Sequence, residues 1–235
     1  MIKQVLKLTL VIIAAAAVGV YANQVLWPRY VEQPLFSKLN LQQEPVQVVE
    51  RQQTTIAENT ALVNTVDQVA KTEILIKSTS SKGTAVSGAG LILTSDGLAV
   101  ASSDLLPLGG KFAIIAGGKT ADFEVTKRDP TLGVALVKIN NVQDLSTSSF
   151  YQLENLKIGT RIFLLGNSGG QNFVNEGIVR SFDGAAIQTS MLEKSEAAGS
   201  PVFDIEGNIL GLAAVDKSGW VSVVSISKIK EFSGL

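Results

Sequence analysis

From Thr72 to the C-terminus the apolar residues fall in short β-branched runs, each closed by turn-forming residues. In chain order they are EILIKS (73–78), GAGLILTSDGLAVAS (88–102), KFAIIAGG (111–118), FEVTKRD (123–129), VALVKI (134–139), TRIFLLG (160–166), FVNEGIVRSFDG (173–184), AAIQTS (185–190), SPVFDIEGNILGLAAV (200–215) and WVSVVSIS (220–227). Ser95-Asp96-Gly97 and Ile205-Glu206-Gly207-Asn208 carry hairpin-turn chemistry. No helical period longer than two turns interrupts the series, although KIKEFSGL (228–235) fits a terminal helical turn. Many short strands at this spacing predict an all-β barrel or sandwich.

The first quarter of the chain has a different pattern. Lys3 and Lys7 precede LTLVIIAAAAVGVYA (8–22), an uncharged run that Val5, Leu6, Val25 and Leu26 extend. A basic flank before such a run predicts a signal-anchor or transmembrane helix over 1–27, with Tyr21, Trp27 and Tyr30 as interfacial aromatics. The alternative is a signal peptide cleaved after Val20-Tyr21-Ala22. Either reading exports the rest of the chain. A Gln-rich stretch with Pro34 and Pro45 reads as an extracytoplasmic linker over 28–54. Ile56, Leu62, Val63, Val66 and Val69 fall near helical spacing, predicting a short amphipathic helix over 56–70 that leads into the domain at 55–235.

Composition narrows the chemistry. The 235 residues are 46% hydrophobic, enough for a substantial core, and the net charge is −1 with no basic block, which argues against a nucleic-acid partner. The chain has no cysteine, so neither disulfides nor a thiol nucleophile exist. It also has no histidine, which removes every His-based triad or dyad and most zinc sites. No cofactor or metal is expected.

The order of the segments resembles the chymotrypsin fold in its bacterial HtrA/Deg form over about 70–235. GAGLILTSDGLAVASSDLL resembles the hairpin that delivers the catalytic histidine. KFAIIAGGKTADFEVTKRDPTLGVALVKI resembles the strands leading to the catalytic aspartate. LKIGTRIFLLGN resembles the segment that opens the second lobe, and VNEGIVRS the strand after it. AAGSPVFDIEGNILGLAAV resembles the nucleophile loop and its following hairpin. The resemblance implies two six-stranded antiparallel β-barrels, with lobe 1 over about 72–145 and lobe 2 over about 150–235.

At the three catalytic positions the chain departs from the family. The histidine position of T-x-x-H-V holds Asp104, the aspartate position of D-P-x-x-D holds Gly133, and the serine position of G-[ND]-S-G-G holds Ala198. Ala198 has no hydroxyl, and an exposed carboxylate at Asp104 is a poor base toward an alcohol. The oxyanion hole of the family is formed by backbone N–H groups of the nucleophile loop; its leading glycine is Glu196 here.

A second serine invites the same question. Gly166-Asn167-Ser168-Gly169-Gly170 has the look of a nucleophile motif, but it precedes VNEGIVRS rather than a strand-turn-strand unit, so it reads as an interstrand loop with glycines for turn geometry. Ser200, Ser190 and the Lys194-Ser195 neighbours are read as polar loop residues rather than as a Ser-Lys dyad.

The sequence therefore predicts a membrane-anchored, catalytically inactive trypsin-like protein that binds extended peptides, unfolded polypeptide or envelope proteins outside the cytoplasm. The resemblance implies a peptide-binding strand edge near Ala213, Ala214, Val215 and Asp216, used by β-augmentation. The alternatives are a serine endopeptidase with a non-His site and a structural envelope module. The resemblance also raises homotrimerisation, although the family's trimer contacts are not recognisable in 23–72. With the second barrel ending near Leu235, no PDZ domain is expected.

Overall fold

A computed structural model of the protein describes residues 2–22, 24, 60–81 and 83–235. The chain divides into two compact units, Met1–Gln52 and Gln53–Leu235. The expected linker at 28–54, together with Trp27 and Tyr30, lies outside the described residues.

In the first unit, helix α1 spans Ile2–Tyr21. Val11, Ile12, Ile13, Val18 and Val20 are all exposed along it. Among the described residues no helix is long and apolar enough to cross a membrane.

The second unit begins with helix α2 over 60–69 and a 3-10 turn at Ala70–Thr72. Leu62, Val66 and Val69 share the buried side, as their spacing requires, and Val63 is exposed. Ile56 lies outside the described residues. The helix is fastened to the distant turn at 205–207: Thr65 Oγ1 donates to Ile205 O at 3.1 Å, and a Cβ at Gly207 would touch Val69 and Thr65.

Seven strands form the first lobe: β1 Glu73–Thr79, β2 Ala85–Ile92, β3 Leu98–Ser102, β4 Lys111–Ala116, β5 Lys119–Ala121, β6 Phe123–Asp129 and β7 Val134–Ile139. Their order is β5-β4-β1-β2-β3-β7-β6, and every pairing is antiparallel. This sheet is half a barrel rather than a closed ring, because β5 and β6 do not pair with each other. The second lobe is a closed six-stranded barrel, β10-β13-β12-β11-β8-β9. Its strands are β8 Arg161–Ser168, β9 Gln171–Phe182, β10 Ala186–Leu192, β11 Pro201–Asp204, β12 Ile209–Val215 and β13 Trp220–Ser225. The two-lobe, all-β architecture expected from the sequence is the one observed.

Burial explains the sequence pattern strand by strand. β1 alternates, burying Ile74, Ile76 and Ser78 while Lys77 and Thr79 face water. β3 and β7 do not alternate, because both of their faces are covered. Ala99 and Ala101 face the core of lobe 1, whereas Val100 turns the other way to join Leu91, Val134 and Leu136 against Phe163, Leu165, Phe203 and Leu212 of lobe 2. That layer between the lobes includes a stacked pair, Phe163 and Phe203, with ring centroids 5.6 Å apart. A separate cluster around Ile162, Leu164, Val179, Leu210 and Val223 fills the barrel.

Helix α3, Ile226–Ser233, closes the chain. It begins two residues before the expected terminal turn. Ile226 and Ile229 lie one helical turn apart and both bury into the interlobe layer, which favours helix over continued strand. Gly234 ends it in the left-handed conformation at φ 81°. Lys127 of β6 donates to Phe232 O at 2.9 Å and lies over the Phe232 ring, tying this helix back to lobe 1.

Candidate functional site

The three positions that depart from the family pattern meet around the end of β3. Ser102 N-caps the 3-10 turn Ser103–Leu105, its hydroxyl accepting from the Asp104 amide at 3.3 Å. Next to it, the Ser103 amide donates to Gly133 O at 3.0 Å, so the turn holding Asp104 is stitched to the loop holding Gly133. Gly133 adopts φ 76° and closes a turn onto Asp129 O; a side chain there would meet nothing within 4 Å. The third segment arrives from lobe 2. Gly199, at φ 89°, sits so close to β3 that a Cβ would lie 2.8 Å from Ser102 Cβ and 2.9 Å from Ser102 N. This position requires glycine for both space and dihedral angle.

Asp104 and Ala198 therefore line one cleft of about 480 Å³ between the lobes, with Val86, Leu105, Ser168 and Glu196 among their neighbours. Ala198 follows the 3-10 turn Ser195–Ala197 and is half-buried in the extended conformation, φ −64° and ψ 130°. Its amide N–H donates to Ser195 O at 3.1 Å, and the Ala197 amide donates to Lys194 O at 2.9 Å. An oxyanion hole needs free N–H groups aimed into the cleft. Here the amide at the nucleophile position is already engaged by its own loop. Among the described residues only Asn141 and Asp144 are non-glycine residues with positive φ, so Glu196 does not adopt the glycine-like geometry of the family's leading residue.

Ser168 has a place that the sequence did not reveal. It ends β8, paired with Gln171 across a tight hairpin whose Gly169 and Gly170 take φ of 62° and 93°, the turn role expected of them. The hairpin nevertheless bends over the cleft. Ser168 Oγ donates to Glu196 Oε2 at 2.8 Å, and the Gly169 amide donates to Ser87 Oγ at 3.3 Å. A hydroxyl joined to a carboxylate is the minimum for an activated nucleophile; Glu196 is exposed to solvent.

The remaining serines occupy different settings: Ser200 is buried, and Ser190 and Ser195 are exposed. Ser200 is fully buried, its hydroxyl without a hydrogen-bond partner and packed over Gly166, where a Cβ would come within 2.9 Å. Ser190 lies in β10 and accepts from the Ile178 amide at 2.9 Å. Both were expected in loops; barrel closure places one in the core and the other in a strand. Lys194 and Ser195 are exposed neighbours, with no hydrogen bond between them among the described residues.

The predicted peptide-binding edge divides into used and unused positions. Both backbone groups of Ala213 are taken, its amide by Ser200 O and its carbonyl by the Gly199 amide, each at 2.8 Å. Asp216 forms the β12–β13 turn: its amide donates to Trp220 O, and its carboxylate accepts from the Ser218 and Trp220 amides. Ala214 and Val215 pair with Ser222 and Val221 of β13. By antiparallel alternation, the Val215 amide and carbonyl point away from β13, beyond the last partner on that side. Val215 is the position from which an added strand could be templated.

A family model described as "Trypsin-like peptidase domain" matches residues 81–212. Among known proteins, the chain is similar to the anti-sigma-I factor RsgI9 of Acetivibrio thermocellus, at 32% identity over 50% of this chain and 18% of that protein. It is similar to a probable periplasmic serine endoprotease, DegP-like, of Bartonella henselae, at 26% identity over 53% of this chain and 27% of the relative. It is also similar to serine protease HTRA1 of Xenopus tropicalis, at 24% identity over 63% of this chain and 35% of that protein. The chain thus spans well under half of each relative's length.

Proposed function

The chain belongs to the trypsin-like peptidase family, and from the state of its catalytic positions we propose that it is an HtrA-type member that binds extended polypeptide without hydrolysing it. One observation carries this reading. At the place of the nucleophile the cleft presents the methyl group of Ala198, whose amide is bonded to Ser195 O. Without a hydroxyl at this position, and with its N–H already bonded, the acyl-transfer steps lack their nucleophile and one oxyanion donor. The cleft and the strand edge at Val215 retain what binding requires: a concave surface and an unpaired backbone amide and carbonyl. The exposed apolar side chains of α1 and its basic flank support tethering at a membrane, with the trypsin-like domain outside the cytoplasm.

Hydrogen exchange tests the binding. Extended apolar peptides added to the full-length protein are expected to slow exchange at Val215 and to be recovered intact; unchanged exchange there would count against a groove.

The Ser168–Glu196 contact favours one second reading, a serine endopeptidase with a non-His site. It predicts a single serine reactive toward active-site probes, located at Ser168.

A further inference from the structure

The outer surface of the lobe 2 barrel is apolar in two places, and among the described residues only one of them is covered. On β8 the outward residues Phe163 and Leu165 are buried in the interlobe layer. Farther round the barrel the outward residues include Val174 and Ile178 of β9, Leu192 of β10 and Trp220 of β13, each 41–54% exposed. The three strands hold these side chains on one face. The Ile178 amide donates to Ser190 Oγ of β10 at 2.9 Å, Asn175 Nδ2 donates to Leu192 O at 3.0 Å, and Leu192 pairs directly with Trp220. Large apolar side chains grouped in water on one sheet face mark an interaction surface.

The charges on β9 say what covers it. Its exposed alternate positions read Val174, Glu176, Ile178 and Arg180, while Val179 turns into the barrel. Glu176 and Arg180 thus flank Ile178 at equal spacing and with opposite sign. Both are oriented by neighbours: Arg161 Nε donates to Glu176 Oε1 at 2.8 Å, and the Arg180 guanidinium lies 5.0 Å from the centroid of the Trp220 ring. A strand whose charge changes sign about its own midpoint is complementary to a copy of itself. A two-fold axis that lies between two such faces and crosses β9 at Ile178 stacks the strands antiparallel, so residues equally far from Ile178 meet. Ile178 then faces Ile178, and Glu176 of each copy faces Arg180 of the other. A face with a single sign of charge would repel its copy instead. We infer that this face is the contact of a two-fold homodimer, with Ile178 on the axis and Leu192 and Trp220 in its apolar part. The contact uses neither the cleft nor the strand edge at Val215, so it stands apart from the peptide-binding reading.

Sedimentation velocity of the full-length protein in detergent, run at rising protein concentration, tests the contact. A monomer–dimer equilibrium is expected. Glu176→Arg and Arg180→Glu each set like charges against one another across the axis, and each is expected to weaken the dimer about tenfold. Combined in one chain, the two changes restore opposite signs across the axis and are expected to recover most of the lost affinity. All are changes at exposed positions, and thermal unfolding of each variant checks that it is folded. The chain has no cysteine, so Ile178→Cys supplies a unique thiol that a short bismaleimide is expected to join between two copies; Thr131→Cys, exposed on lobe 1, is expected to remain unjoined. A monomer at every concentration would overturn the inference and leave the face to a different partner. A dimer that neither single reversal weakens would place the contact elsewhere and overturn it as well. So would single reversals whose loss the double variant does not recover, because the axis would then not cross β9 at Ile178.

Discussion

Ser168 donates its hydroxyl hydrogen to Glu196 Oε2 across 2.8 Å, joining the end of β8 to the turn that precedes Ala198. The contact anchors a glutamate where the family pattern has a glycine, in a turn where the Ala197 and Ala198 amides bond to their own loop. Rebuilding the nucleophile is therefore insufficient. Ala198→Ser alone is expected to give no reactivity toward a fluorophosphonate probe and no hydrolysis of casein. With Asp104→His, Gly133→Asp and Ala198→Ser combined, activity is expected to rise by a further ~10²–10³-fold when Glu196→Gly is added, the scale of one oxyanion donor. An equal rate with and without Glu196→Gly would show that the turn does not obstruct the hole.

Gly199 holds the two lobes in contact at the cleft. A methyl group there meets Ser102 at 2.8–2.9 Å, at a φ of 89° that L-residues rarely adopt. Gly199→Ala is expected to destabilise the protein by about 3 kcal/mol and to lower Tm by roughly 6–12 °C. Gly133→Ala is the control: its φ of 76° is similarly left-handed, but the space beside it is open, so its loss is expected to be about 1 kcal/mol. Thermal unfolding of the two variants separates steric contact from backbone strain.

Glu73 gives stability a pH dependence. It opens β1 opposite Leu91, and its Oε1 is buried without a partner. Burial raises its carboxyl from the ordinary range to about 7. The folded state then retains a proton that the unfolded chain releases, so stability falls as pH rises from about 4.5 to about 7 and stays lower above that. The loss is on the order of 3 kcal/mol. Glu73→Gln is expected to flatten this part of the profile and to be more stable than the unaltered protein at pH 8, measured by urea unfolding at a series of pH values. Parallel profiles for the two proteins would exclude Glu73 as the source.

Much of the fold was legible because the interlobe layer leaves a strong trace in the sequence. The unbroken apolar runs LAVAS and VALV are strands covered on both faces, by Ala99 and Ala101 on one side and Val100 on the other. Asp104, Gly133 and Ala198 could be aligned because the turns that hold them depend on local backbone chemistry. What the sequence hid was long-range or very short. β5 is only Lys119–Ala121 and carries no alternation worth reading. β2 begins at Ala85, three residues before its apolar run, and those first residues line the cleft. The meeting of Ser168 with Glu196, 28 residues apart, is set by the β8–β9 hairpin bending over the cleft, which no local pattern encodes. Ser200 looks like a loop serine in sequence and is fully buried because the barrel closes around it.

The most direct test of a non-hydrolysing cleft is serine labelling of the full-length protein with a fluorophosphonate probe, read by mass spectrometry and run beside a casein-degradation assay. No labelled serine and intact casein are the predicted results. A stoichiometric label on one serine with casein cleavage would contradict the proposal, and a label on Ser168 would make the Ser168–Glu196 pair the working site.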